Sequence, residues 1–203
     1  MAVTLEQRQQ TTDTIGMHPK KFMMLLGMVS MCMLFAALTS ALIVKKADTT
    51  SWKNFVLPSS FLYSTAVVVL SSIFLQISYV LYKKNNKSYK LMMLVTLLTA
   101  AVFCFLQYSG WMQLTKIGAP LSGNVSGSFV YLVTGFHVAH LLGGMVVLLI
   151  TTLVHILRPK PINKKGELLA LESKINFEVL LIFWHFLGAL WIYLYVFLFI
   201  IYN

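Results

Sequence analysis

The sequence predicts an all-α membrane protein, five transmembrane helices in a single bundle, and three observations carry that expectation. Of 203 residues, 58% are hydrophobic and 11% are charged, with a mean hydropathy of +0.78. A soluble domain has about a quarter charged residues, and a disordered chain is poor in apolar and aromatic residues, so neither class fits. Second, long runs contain no Asp, Glu, Lys or Arg at all. Third, the 16 Lys and Arg, against 6 Asp and Glu, fall in short clusters between those runs. That arrangement suits an anionic membrane surface and excludes nucleic acid as the partner.

The charge-free runs cover 22–44, 55–82, 91–115, 129–157 and 179–202, and each exceeds the roughly 20 apolar residues needed to cross a bilayer. Helix is the expected state, because backbone groups in hydrocarbon must bond within their own segment and no alternating barrel pattern is present. Before the first run lies a polar segment, 1–21, without the apolar stretch and cleavage site of a signal peptide. The first helix is therefore expected to direct its own insertion, and 22–203 to form one transmembrane domain. Near the start of the second run stands Pro58, where a missing N–H costs nothing. Gly118, Pro120 and Gly123 mark the loop after the third run, and Pro159, Pro161 and Gly166 the loop after the fourth. Trp52, Tyr82, Tyr108, Trp111 and Tyr202 fall near run ends, as headgroup anchors do. Cys32 and Cys104 lie in separate apolar runs without metal spacing and read as packing thiols.

Lys and Arg distribute unequally between the two sides. The N-terminal segment and the second–third and fourth–fifth loops hold 3, 4 and 5, against 3, 1 and 0 on the other side, or twelve against four. The positive-inside rule then puts the N-terminus in the cytoplasm and the C-terminus outside.

Inside the runs the only ionisable side chains besides Cys and Tyr are histidines. Intramembrane acids and bases usually mark ion pathways, so their scarcity argues against a transporter and favours a helical module supporting another subunit. His137, His140 and His155 lie on the fourth run and His185 on the fifth. His137 and His140 share a face, and the spans place His140 and His185 at matching depth, the condition for bis-histidine haem ligation. A haem-binding membrane cytochrome is the competing reading. His155 and Glu178 fall near the same interface and could form a charge-assisted pair. Gly135, Ala139 and Gly143, at four-residue spacing, form a small-residue stripe for close helix packing, with Gly188 as a further packing glycine. Trp184 stands mid-span, where its N–H requires a partner.

Two stretches resemble a known family. Residues 126–140, SGSFVYLVTGFHVAH, are similar to the signature Gly-Ser-x-Phe-Phe-x-x-Thr-Gly-Phe-His-Gly-x-His in subunit III of haem–copper terminal oxidases. Residues 183–191, FWHFLGALW, resemble that family's last-helix motif, Tyr/Phe-Trp-His-Phe-x-Asp-x-x-Trp. Leu57-Pro58, Leu70-Ser71-Ser72 and Phe177-Glu178 agree in order, and five spans match the shorter bacterial members. Met31, Gly110 and Gly188 depart from the pattern, standing where the family has acids.

The resemblance implies an accessory subunit, without catalytic or metal-binding residues of its own, in a cytochrome c oxidase or else a quinol oxidase. Haem and copper would belong to the partner subunits. Oxidase subunits I and II, phospholipids and a wider respiratory supercomplex are the implied partners, and the bacterial cytoplasmic membrane is the implied location. The role would be to sustain oxygen reduction coupled to proton pumping in aerobic respiration. On this reading His137, His140, Glu178, Trp184 and His185 are candidate contacts to lipid or to another subunit, lining a lipid-holding cleft.

Overall fold

The computed structural model of the protein describes residues 18–47, 52, 55–122, 125–157 and 164–202, with the backbone alone over 164–172. Five helices follow in order: α1 Pro19–Ala47, α2 Ser59–Lys83, α3 Tyr89–Lys116, α4 Val125–Leu157 and α5 Lys164–Tyr202. All five are long and apolar enough to cross a membrane, the spanning part of α5 being Ser173–Tyr202. Among the described residues there is no strand. Most of the polar N-terminal segment, together with Gly123, Arg158, Pro159, Lys160 and Pro161, lies outside the described residues.

Helix ends differ from the charge-free runs for a physical reason. A run without charge marks hydrocarbon, whereas a helix ends where its backbone bonds find other partners. Thus α2 begins only at Ser59, because Pro58, with extended ψ of 139°, serves as its N-cap. Two helices end in the six-to-one and five-to-two bonding pattern of a left-handed cap. After α2, Asn85 takes φ 55°, Asn86 N–H reaches Leu81 O at 3.0 Å and Asn85 N–H reaches Tyr82 O at 3.1 Å. After α3, Gly118 takes φ 78°, with Ala119 N–H on Leu114 O and Gly118 N–H on Thr115 O. In α5 the helix continues back through charged residues to Lys164.

α2, α3, α4 and α5 pack in a closed ring, each against the next and α5 back against α2, while α1 lies outside against α4 and α5. Close approach is set by small residues. A Cβ on Gly110 would stand 3.0 Å from the Phe61 ring, and one on Gly144 3.1 Å from both Leu187 and Phe183. Gly188 lies against Ser72 Oγ at the same kind of distance, 3.0 Å.

Polar bonds hold the ring in register, and α2 supplies most of them. Ser64, Ser71 and Ser78, seven residues apart and all buried, follow one face. Gln107 Nε2 donates to Ser64 Oγ at 2.9 Å, Gln113 Nε2 to Ser60 Oγ at 2.8 Å, and Ser78 Oγ to Tyr89 O at 2.8 Å. From α5, Trp184 Nε1 donates to Ser71 Oγ at 3.1 Å and Trp191 Nε1 to Thr65 Oγ1 at 3.0 Å. Where no water competes, such bonds orient helices that apolar packing alone would leave free to slide.

Candidate functional site

Three polar assemblies occupy different levels of the bundle. The first closes the end where α1 and α5 begin. Glu178 accepts from Lys21 Nζ at 2.6 Å through one carboxylate oxygen and from the Tyr79 hydroxyl at 2.6 Å through the other. Lys20 Nζ adds a bond to Asn176 Oδ1 at 3.1 Å, and Lys83 Nζ stands 4.5 Å over the Tyr79 ring. One carboxylate therefore joins α1, α2 and α5. Beside it Phe177 is fully buried among Tyr79, Tyr82 and His155, at ring separations of 5.3–5.8 Å.

The expected His155–Glu178 pair is corrected here. His155 instead places Nδ1 3.3 Å from the Tyr89 hydroxyl and Nε2 3.2 Å from Ser173 Oγ. Lys21 takes the carboxylate because α1 crosses the start of α5 at this level, a meeting between segments 157 residues apart.

The second assembly lies mid-bundle around His137, which has no exposed surface. Its ring is 5.1 Å from Trp191, 6.0 Å from Phe103 and 6.4 Å from Phe35. His140, three residues on, is half-buried 5.9 Å from Phe35 and bonds through Nδ1 to Phe136 O of its own helix. Trp184 is only 1% exposed and gives its N–H to Ser71. Neighbouring helices of this chain enclose both His137 and Trp184.

The third assembly is a groove of about 410 Å³ between α2 and α5, open at the outer surface of the bundle. Apolar residues such as Val69, Ile73 and Ile192 line most of it, with Ser72, Gln76 and His185 as its polar members. His185 Nε2 lies 3.2 Å from Gln76 Oε1. Gly188 forms part of the wall, so the loss of a side chain there shapes this groove. Of the five histidine, carboxylate and indole candidates, His185 lines this groove.

His140 and His185, the pair expected at matching depth, bond to different groups, Phe136 O and Gln76 Oε1. His137 touches Trp191, whereas His185 stands six residues earlier on α5, about 9 Å along the helix. The ring contacts of His137 and the hydrogen-bond partner of His185 have no residue in common. Among the described residues no three His, Cys, Asp or Glu gather as metal ligands would.

The small-residue stripe lies on the outside of the described bundle. Nothing described stands within 4 Å of a Cβ at Gly135 or Gly143, and Ala139 is exposed. Packing inside the chain falls instead to Gly144, one residue round the helix. Gly135 and Ala139 border a shallow apolar groove of about 780 Å³ with Trp111, Phe129 and Tyr131.

Sequence reasoning missed Lys21, Gln76, Gly144 and the hydroxyl row of α2. Only the last left a readable signal, the seven-residue spacing of Ser64, Ser71 and Ser78.

The sequence model of the family described as cytochrome c oxidase subunit III matches residues 6–202. The chain belongs to that family. A protein named cytochrome c oxidase subunit 3 from Dictyostelium citrinum is 34% identical over 119 residues, covering 56% of this chain and 26% of that protein. Its namesake from the tick Rhipicephalus sanguineus is 26% identical over 143 residues, 70% of this chain and 49% of the tick protein. One from Marchantia polymorpha is 31% identical over 101 residues, 49% of this chain and 35% of the relative. The matched stretches thus span from a quarter to a half of the relatives' length. Gly110 against Phe61 and Gly188 against Ser72 are the glycines that let α3 and α5 approach α2.

Proposed function

We propose that this chain is the accessory subunit III of a respiratory cytochrome c oxidase. It packs on subunit I, in a complex with subunit II, and holds lipid so that oxygen reduction coupled to proton pumping is sustained. The observation that carries this reading is the family match over residues 6–202, laid on five membrane-crossing helices. Haem and copper belong to the partner subunits, and this subunit contributes packing and lipid-holding surface. The bacterial cytoplasmic membrane is the proposed location, with the N-terminus inside, as the twelve-to-four division of Lys and Arg supports. The groove beside His185 and Gln76 supports the lipid role. It is apolar along its walls and carries three polar side chains, Ser72, Gln76 and His185.

The test is affinity purification of the tagged chain from solubilised membranes of its own host. Recovery of stoichiometric subunits I and II with their haem spectra is the expected result. Deleting the gene should leave haem per subunit I nearly unchanged and shorten the period of sustained turnover. Purification of the tagged chain free of any haem-bearing partner, or carrying a stoichiometric Soret band by itself, would overturn the reading.

A further inference from the structure

The middle layer of the bundle contains three fully buried polar atoms that no protein group satisfies: His137 Nδ1, His137 Nε2 and Gln107 Oε1. Leaving such groups bare is costly, and buried polar atoms are otherwise almost always paired. These three are not scattered. On α3, Gln107 lies midway between Phe103, whose ring meets His137, and Trp111, which donates to Thr134 Oγ1 at 2.9 Å. The stretch of α4 facing Gln107 is therefore 134–137. Across the ring, Gln107 Nε2 is bound to Ser64, and the next residue, Thr65, accepts from Trp191, whose ring meets His137. These contacts place Gln107 near the level of His137, whose ring is bounded by Phe35, Phe103 and Trp191, with the amide nitrogen of Gln107 already engaged and its amide oxygen left over.

We infer that His137 and Gln107 Oε1 bind an internal water molecule in this layer, sealed inside the bundle. The chemistry suits water more than any ion. A neutral imidazole offers one N–H donor and one bare nitrogen acceptor, while Gln107 Oε1 is an acceptor only. A water can donate to the amide oxygen and either donate to or accept from one ring nitrogen, so it satisfies two of the three atoms with its own protons and lone pairs. No carboxylate or cationic side chain touches the layer among the described contacts, so nothing balances a charged ligand. Such a water would also fix the rotation of the His137 ring, which apolar neighbours alone leave undetermined.

A cryo-EM map of the intact complex, at a resolution where ordered waters are visible, tests this. A single-atom peak within hydrogen-bond distance of both a His137 ring nitrogen and Gln107 Oε1 is expected. Gln107→Leu should remove that peak, and Ser64→Ala, which touches only the amide nitrogen, should leave it. If the variants fail to assemble, the unmodified complex decides alone. A layer without density, the His137 N–H aimed at the face of Trp191 or Phe103, would overturn the inference. So would density larger than one water.

Discussion

Lys21 Nζ stands 2.6 Å from Glu178 Oε2, and through that contact the first turn of α1 is tied to the start of the membrane-crossing part of α5. α1 lies outside the four-helix ring and is mostly exposed along its length. It is also held by Lys20 bonding Asn176 at 3.1 Å, by Phe35 in mid-span, by Thr39 with Tyr193 at 3.2 Å, by buried Leu42, and by Lys46 bonding Ile201 O near the far end. Each of these ties matters to whether α1 stays seated.

Glu178→Ala should loosen α1 more than Lys21→Met does, because it leaves both Lys21 and the Tyr79 hydroxyl without their acceptor. The pair is partly solvent-exposed, so the ion-pair energy itself is modest, about 1 kcal/mol or less, and the stranded hydroxyl adds about as much again. Protease sensitivity just before α1, in the purified complex, should rise in both variants. Equal sensitivity in Glu178→Ala and the unmodified chain would show that α1 is held elsewhere.

Gly144→Leu and Gly143→Leu should separate folding from assembly. A side chain at Gly144 strikes Leu187 and Phe183, and overpacking of this kind costs about 1–3 kcal/mol. Thermal unfolding of the detergent-solubilised subunit should therefore occur at lower temperature for Gly144→Leu. Gly143 faces outward, so its leucine variant should unfold like the parent. Loss of the Gly143→Leu subunit from the oxidase, despite normal folding, would identify the outer stripe as the face that meets another subunit.

Trp184→Phe and Ser71→Ala each delete the same interhelical bond. Polar contacts between membrane helices average about 0.6 kcal/mol, with a further penalty for any group left unpaired. The double variant should be no less stable than the worse single one. Full additivity in a double-mutant cycle would mean that the two residues do not act as a pair.

His185→Phe with Gln76→Leu removes the polar members of the α2–α5 groove that face each other. Haem spectra and initial rates should stay near normal. Phospholipid retained per complex, read by mass spectrometry, should fall, and inactivation during sustained turnover should quicken. Unchanged lipid content with unchanged inactivation would remove this groove from the lipid role.

Much of this protein was legible before any coordinates. Five helices follow from the charge-free runs, since hydrocarbon admits no other state for a lone segment. Membership of the subunit III family is carried by His137, His140 and the Phe183–Trp191 motif in linear order. The need of mid-span Trp184 for a hydrogen-bond partner is likewise a property of the residue itself.

What each of those residues meets was decided by tertiary structure alone. Helical spacing assigns Gly135, Ala139 and Gly143 to a common face, yet whether that face turns inward depends on the rotation of α4. That rotation is set by Gly144 fitting Phe183 and Leu187 and by Thr134 receiving Trp111. His155 and Glu178 lie near one interface on consecutive helices, yet Lys21 takes the carboxylate because α1 crosses α5 there. The side chains of His137 and His185 carry equal chemistry, and only their neighbours make one a sealed core group and the other a groove wall. Hydropathy and spacing act along a single helix, so they specify what crosses the membrane. Contacts between segments more than a hundred residues apart specify which side of each helix faces the core.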